Sequence, residues 1–307
     1  MSLRIVFMGT PEFAVASLDA LVKNGYDIVG VVTAPDKPAG RGMHLQQSDV
    51  KKYAAEHQLN VLQPEKLRDA DFISQLKSLN ADLHIVVAFR MLPEIVWNMP
   101  PMGTINVHGS LLPKYRGAAP INWAIINGEK ETGVTTFKLK HEIDTGNILL
   151  QEKIPIRENE TAGKLHDEMK EIGAQLLVKT IQGLENNIVS EIPQETNTPA
   201  TVAVHAPKIF KETCKINWDK SVDEVYNLIR GLSPYPGAFT HLENKIFKIF
   251  SAKKEKTIPN IQAGNFITDH KTFLKFACAD GFIVVEELQL EGKKRMNIAD
   301  FLRGHRF

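Results

Sequence analysis

The sequence predicts an α/β protein in which a doubly wound domain is followed by a small, OB-like β-barrel domain. The chain opens with a strand–helix–strand pattern over residues 3–33, which is typical of a doubly wound sheet. Five short runs with turn residues between them occupy residues 238–290, as expected for a small barrel. The 307 residues leave room for two domains with separate cores.

The first strand, residues 3–8, is an apolar run apart from Arg4, which suits a strand buried on both faces. Gly9 ends it, and Pro11 favours the first turn of a helix that runs to about Lys23. A second strand follows at residues 26–33. The turn after the first strand lacks the G-x-G-x-x-G pattern, which disfavours binding of NAD or FAD.

Residues 34–47 form a long segment rich in Pro and Gly, with Lys37 and Arg41 among its charged residues. A loop of this length on a compact domain is typically functional or disordered. It follows a strand's carboxyl end, where α/β sheets bind ligands. A binding residue and a solvated surface charge are therefore about equally favoured for Arg41.

The remaining pattern alternates helices and strands and then changes character after a weakly patterned stretch. Prolines at 193, 199 and 207 mark that stretch, and we predict a domain over 1–189, a linker over 190–207 and a second domain over 208–307. The predicted elements are helices at 48–57, 70–79, 118–126, 161–184, 222–230 and 297–302, and strands at 83–88, 104–107, 133–139, 148–155, 238–242, 245–250, 264–268, 273–277 and 282–290.

The stretch INVHGSLLP, residues 105–113, carries polar side chains at alternate positions of an apolar strand. Asn106 and His108 therefore point to one side of the strand, where burial is costly unless they have partners. A turn cap and a core histidine would explain the pair without function. Asp144, in a Gly-terminated loop after another predicted strand, would converge with them at a ligand-binding sheet edge, which favours a site.

Composition excludes several classes of protein. No apolar run reaches the roughly 20 residues that a membrane span needs, and the amino terminus has no small-residue cleavage site. The two cysteines have neither disulfide-framework nor metal-site spacing, which predicts a cytoplasmic protein without a metal. Net charge is +1, while residues 201–307 are modestly basic, which fits either nucleic acid or a solvated lysine-rich surface.

Five motifs occur in order along the chain: FMGTPEFA (7–14), APDKPAGRG (34–42), INVHGSLLPKYRGAAPI (105–121), DTGNIL (144–149) and HAPKI (205–209). With these motifs the chain resembles the methionyl-tRNA formyltransferase family over essentially its whole length. The resemblance implies a Rossmann-like formyl-transfer domain and an OB-like domain that helps to hold tRNA. It also implies 10-formyltetrahydrofolate as co-substrate and initiator methionyl-tRNA as acceptor, with no metal and no membrane, and we expect a monomer.

The resemblance carries roles to individual residues. The catalytic residues are Asn106, His108 and Asp144, the residues that line the folate site are Ser110, Leu111, Leu112 and Pro113, and the residues expected to contact tRNA are Arg41 and Lys37. The segment Phe89-Arg90-Met91 departs from the family's Tyr-Gly pattern in a loop that borders the pterin pocket.

Two other functions stay open. A folate-dependent formyltransferase that acts on a small amine, such as a purine precursor or an amino sugar, would share the Asn, His and Asp residues. A non-catalytic nucleic-acid module would use the barrel and leave the polar strand end unexplained. The 34–47 segment and the basic last third favour tRNA over a small amine.

Overall fold

The computed structural model describes residues 3–39, 44–194 and 204–306. They form two compact units, one within Met1–Arg116, Gly133–Ile154 and His166–Val204, the other within Gly117–Thr132, Pro155–Leu165 and His205–Phe307. The second unit thus takes in two segments, 117–132 and 155–165, that lie inside the first domain predicted from the sequence. The linear domain bounds stay a prediction.

The elements follow the predicted order, with a few short additions. In the first half they are β1 (Arg4–Gly9), α1 (Glu12–Lys23), β2 (Asp27–Val32), β3 (Lys37–Ala39), β4 (His44–Gln46), α2 (Asp49–Glu56), β5 (Val61–Leu62), α3 (Ala70–Ser78), β6 (Leu83–Val87), α4 (Glu94–Trp97), β7 (Thr104–His108), β8 (Arg116–Gly117), α5 (Pro120–Ile126), β9 (Glu131–Lys138), β10 (Ile148–Pro155) and α6 (Ala162–Glu185). In the second half they are β11 (His205–Ala206), a 3-10 helix (Glu212–Cys214), α7 (Val222–Gly231), β12 (Ala238–Leu242), β13 (Lys245–Glu255), β14 (Phe266–Thr268), β15 (Leu274–Ala277), β16 (Phe282–Leu290), β17 (Met296–Asn297) and α8 (Ile298–Gly304).

The first unit is built on a seven-stranded sheet of order β10-β9-β7-β6-β1-β2-β5. Strands β5, β2, β1, β6 and β7 pair in parallel, and β9 pairs antiparallel with β7. The apolar runs of β1 and β6 are buried at nearly every position, as a parallel sheet covered on both faces requires. The predicted doubly wound α/β domain is confirmed.

Gly9 is needed for close packing at the end of β1. A Cβ at this position would lie 2.6 Å from the Cβ of Ala14 and 3.1 Å from the carbonyl oxygen of Val87. The glycine therefore lets α1 and β6 approach β1, which accounts for it without a bound dinucleotide.

The 34–47 segment differs from the predicted plain loop, because its described ends pair as a two-stranded antiparallel ribbon. Lys37 lies opposite Gln46, and Ala39 lies opposite His44. The base of the ribbon is fixed at Asp36, which accepts hydrogen bonds from Lys51 and Gln63 that hold the pKa of its carboxyl below the usual value.

The second unit contains an antiparallel sheet of order β12-β13-β16-β15-β14, with β17 paired to β16. The five predicted strands are present, and irregular pairing near Ser251 interrupts the register between β13 and β16, as bulges that bend a sheet do. Helix α7 begins at a capping box between Ser221 and Glu224, and Trp218 stacks on Phe276 in the core. The OB-like assignment is confirmed.

Candidate active site

Strand β7 places Asn106 and His108 on one side of the central sheet. Asn106 pairs with Val86 of β6 and Phe137 of β9, so it lies in the middle of the sheet rather than at an edge. His108 is 7 % exposed and Asn106 is partly exposed. The Asn106 carboxamide makes no hydrogen bond to the residues that the structure describes. Its N–H groups are therefore available to a ligand.

The His108 ring lies between a backbone carbonyl and a carboxylate. Its Nε2 is 2.9 Å from the carbonyl oxygen of Tyr115, and its Nδ1 is 3.8 Å from Oδ2 of Asp144. Because a carbonyl oxygen only accepts, Nε2 carries the proton of this hydrogen bond. Nδ1 is thus the nitrogen that faces Asp144.

Asp144 is placed by the loop between β9 and β10. Its backbone is left-handed, with φ of 54°, and its side chain is 12 % exposed. Tyr115, whose carbonyl meets His108, is also left-handed, with φ of 59°. Left-handed residues other than glycine are uncommon, and the conformation is less readily adopted by a bulky residue such as Tyr than by Asp. Both residues whose oxygen atoms face the His108 ring nitrogens are of this kind.

The segment Ser110–Pro113 turns away from β7 and is held by side chains of β9 and β10. Thr135 donates to the carbonyl of Ser110 and accepts from the amide of Leu112, and Gln151 donates to the carbonyl of Leu112 at 2.9 Å. The Ser110 hydroxyl donates to the carbonyl of Lys114. Ser110 and Leu112 are buried, whereas Leu111 and Pro113 are partly exposed, so the last two present the apolar surface.

In the loop after β6, Arg90 has a structural role. Its guanidinium donates to the backbone carbonyls of Pro64 and Glu65, and burial lowers the pKa of the side chain. Met91 is 74 % exposed. At the segment Phe89-Arg90-Met91, which departs from the family pattern, an arginine hydrogen-bonded to the backbone therefore precedes an exposed methionine.

The other predicted residues fall outside this group. Lys37 is exposed on β3, and Arg41 lies outside the described residues. Within the described ranges no cluster of His, Cys, Asp and Glu could hold a metal ion, and no helix is both long and apolar enough to cross a bilayer.

Sequence reasoning missed the residues that hold the two loops. Gln194 donates to the carbonyls of Asp144 and Gly146, although the sequence assigned it to the linker. Thr135 and Gln151 perform the corresponding task for Ser110–Pro113. Isolated glutamines and a strand threonine carry no local pattern that could have identified them.

The chain matches two family models. The model described as formyl transferase covers residues 3–181, and the model of the formyl transferase C-terminal domain covers residues 208–306. Together the two models span most of both halves of the sequence.

Curated relatives match over nearly the full length. The methionyl-tRNA formyltransferase of Bacteroides fragilis is 54 % identical over 307 residues, covering 98 % of this chain and 95 % of the relative. That of Flavobacterium johnsoniae is 52 % identical over 310 residues, covering 99 % and 97 %.

Solved structures share the fold at lower identity. The sugar 3N-formyl transferase WlaRD is 23 % identical with a TM-score of 0.69, covering 96 % of this chain and all of that one. An N-formyltransferase from Helicobacter canadensis is 23 % identical with a TM-score of 0.68, covering 94 % of this chain and all of that one. By its full-length relatives at more than half identity, the chain belongs to the methionyl-tRNA formyltransferase family.

Proposed function

We propose that the protein transfers the formyl group of 10-formyltetrahydrofolate to the α-amine of methionine on initiator tRNA. The product is N-formylmethionyl-tRNA for translation initiation. The observation that carries the proposal is the buried His108 imidazole, set between the Tyr115 carbonyl and the Asp144 carboxylate. Beside it lies the Asn106 carboxamide, which makes no hydrogen bond within the described part of the chain. We further propose that the protein acts as a monomer in the cytoplasm.

The reaction forms one C–N bond and breaks another. The amine lone pair attacks the formyl carbon, and the carbonyl electrons move to the oxygen. When the oxyanion collapses, the bond from carbon to N10 of the folate breaks, and the proton lost by the amine replaces the formyl group on N10. A carboxamide N–H of Asn106 would stabilise the oxyanion, an interaction whose loss typically costs about 3 to 4 kcal/mol.

His108 would supply the second donor to the oxyanion. Its Nε2 proton is already donated to Tyr115, so only a doubly protonated ring can donate from Nδ1. Asp144 lies on the Nδ1 side, where its carboxylate balances the positive charge of such a ring and can take the amine proton through a water molecule.

The folate would lie along Ser110–Pro113. The Ser110 hydroxyl is committed to the Lys114 carbonyl, so this residue would contribute backbone groups rather than its side chain. Leu111 and Pro113 would supply the apolar contacts, because their side chains are partly exposed.

The tRNA would be held by cations of both units. In the first, these are Lys37 and Arg41. In the second, Lys254 and Lys275 are neutralised by Asp223 and Glu255. Several lysines have no acidic partner among the described residues and are available to phosphates: Lys208, Lys211, Lys215, Lys271, Lys293 and Lys294.

Arg41→Ala tests the tRNA role of the 34–47 segment. We expect the rate with methionyl-tRNA to fall by an order of magnitude or more, with a weaker salt dependence, because a phosphate contact is lost. A methionine-ester acceptor, which has no phosphates, should react as before. Lys77→Ala, which removes an exposed charge from α3, is the control. Equal losses on both acceptors would place Arg41 in the chemistry instead.

Gly146→Ala tests whether the Asp144 loop must keep its shape. A Cβ at this position would overlap the carbonyl oxygen of Lys138, so the loop has to move. We expect turnover to fall about a hundredfold, since displacements near 1 Å at a reacting centre cost this much. Gly292→Ala is the control. A Cβ at this position meets nothing within 4 Å, so although the φ of 77° strains any side chain, turnover should be unchanged. A Gly146→Ala enzyme with normal turnover would show that the loop has no part in the reaction.

The proposal is tested by incubating the purified protein with 10-formyltetrahydrofolate, labelled in the formyl group, and methionyl initiator tRNA. We expect label on the methionine α-amine, and a rate that falls at least a hundredfold in Asn106→Ala. Tight tRNA binding without transfer by the unmodified protein would support the non-catalytic alternative.

A further inference from the structure

A short segment assigned to the linker from its sequence is bound to the loop that carries Asp144. Ile192 forms a two-bond antiparallel bridge with Ile148, with both N···O distances 2.8 Å. The carboxylate of Glu191 contacts Lys138 Nζ at 2.9 Å and accepts from Asn147 at 2.8 Å, which holds its pKa below the usual value. Residues 191 and 192 therefore hold the loop at the end where β10 begins.

Gln194 makes the central contact of this segment. The side chain is 6 % exposed, and its Nε2 donates to the carbonyls of Asp144 at 2.9 Å and Gly146 at 2.8 Å. Its Oε1 accepts from Nε and Nη2 of Arg116, at 3.1 and 2.6 Å. Both N–H groups and the oxygen of the carboxamide are thus used.

This pairing pattern requires a carboxamide. Two carbonyl oxygens need donors at one end of the side chain, and the Arg116 guanidinium needs an acceptor at the other. An ionised glutamate offers only acceptors. Methionine has a similar length, but it has no donor and only a weak acceptor. The same loop holds Asp144 in a left-handed conformation, which is uncommon for residues other than glycine although Asp and Asn adopt it more readily than most.

We propose that Gln194 is a positioning residue for formyl transfer. Through the Asp144 and Gly146 carbonyls it fixes the loop so that the Asp144 carboxylate stays beside the His108 imidazole, and Arg116 fixes Gln194 in turn. The proposal rests on the proposed function, because it assigns Gln194 to the positioning of Asp144 in that reaction.

Gln194→Glu and Gln194→Met test the proposal in the full-length protein. Both keep the side-chain length and remove the two donors, and only the first adds charge. We expect each to lower kcat for formylation of methionyl initiator tRNA by roughly ten- to a hundredfold. Without the two hydrogen bonds the loop no longer holds the Asp144 carboxylate in place. The KM values for both substrates should stay within about twofold, since the binding residues are not touched.

A double-mutant cycle separates positioning of Asp144 from a general structural effect. In an Asp144→Asn background, Gln194→Glu should cause little further loss of kcat, because the group that it positions has already been disabled. Asn24→Asp is the matched control: this exposed carboxamide donates to the carbonyl of Ala20 at 2.8 Å, and its kcat should be unchanged.

Three results would overturn the proposal: normal kcat in both Gln194 variants, a loss confined to KM, or losses that multiply fully with Asp144→Asn. If neither variant folds, Arg116→Lys provides the test, since it leaves Gln194 in place and removes the paired donors; it should lower kcat several-fold with the same non-additivity. Absence of transfer by the unmodified protein would instead refute the proposed function and leave the loop contacts without a reaction to serve.

Discussion

Replacing His108 with alanine is expected to lower turnover by about two to three orders of magnitude, the usual scale for losing one donor to a developing oxyanion. Affinity for the folate should change little, because the imidazole acts on the transition state rather than on the bound substrate. Single-turnover formyl transfer and equilibrium folate binding, measured on the same preparation, check both parts of the expectation.

The surface residue His57 provides a matched control, since its Nδ1 lies 2.9 Å from the Tyr53 carbonyl. His57→Ala removes an imidazole that also contacts a backbone carbonyl, and should leave turnover within about twofold, as surface changes usually do. Loss of folate binding with intact single-turnover chemistry in His108→Ala would make His108 a binding residue and remove it from the catalytic set.

Replacing Asp144 with asparagine should lower turnover by about two orders of magnitude or more while keeping the shape of the loop. Asparagine tolerates the left-handed conformation that Asp144 adopts, so the backbone has no reason to move. What disappears is the negative charge 3.8 Å from Nδ1 of His108, which balances the ring in its donor form. Steady-state kcat and KM for both substrates measure the effect, which should lie in kcat.

Because Asp144 is proposed to act through His108, the two substitutions should not be additive. The His108→Ala, Asp144→Asn variant should be no more than a few-fold slower than His108→Ala alone. Asp167→Asn is the control. It removes a carboxylate that lies 3.1 Å from the partly exposed His166 ring, and turnover should be unchanged. Full multiplication of the two losses would mean that Asp144 acts independently of the imidazole.

The parallel core could be predicted because its signal is local. Apart from Arg4 and the buried His84, β1 and β6 are apolar on both faces, and the alternation in β7 puts Asn106 and His108 on one side whatever the rest of the chain does. The presence and order of β12 to β16 follow from the turn residues between them, although β13 runs to Glu255, five residues beyond its predicted end. The proximity of Asp144 to His108 followed from sheet topology, which places loops at strand ends.

The parts that could not be predicted depend on contacts between distant residues. Gln194 acts on a loop 50 positions earlier in the chain, and no pattern near Pro193 distinguishes such a residue from a solvated linker. The ribbon of β3 and β4 has only three residues in each strand, too few for a period to show. The hydrogen bond from Nε2 to the Tyr115 carbonyl could not be predicted either, and it determines that Nδ1 is the nitrogen of His108 that faces Asp144.

The central claim is that this site formylates methionyl-tRNA and not a small amine, and competition in one reaction tests it most directly. The unmodified protein is given labelled 10-formyltetrahydrofolate together with methionyl initiator tRNA, methionyl elongator tRNA, glycinamide ribonucleotide and a dTDP-linked amino sugar at equal concentrations. The label that enters each acceptor is then counted. We expect nearly all of it on the initiator tRNA, whereas label confined to the ribonucleotide or the amino sugar would contradict the claim.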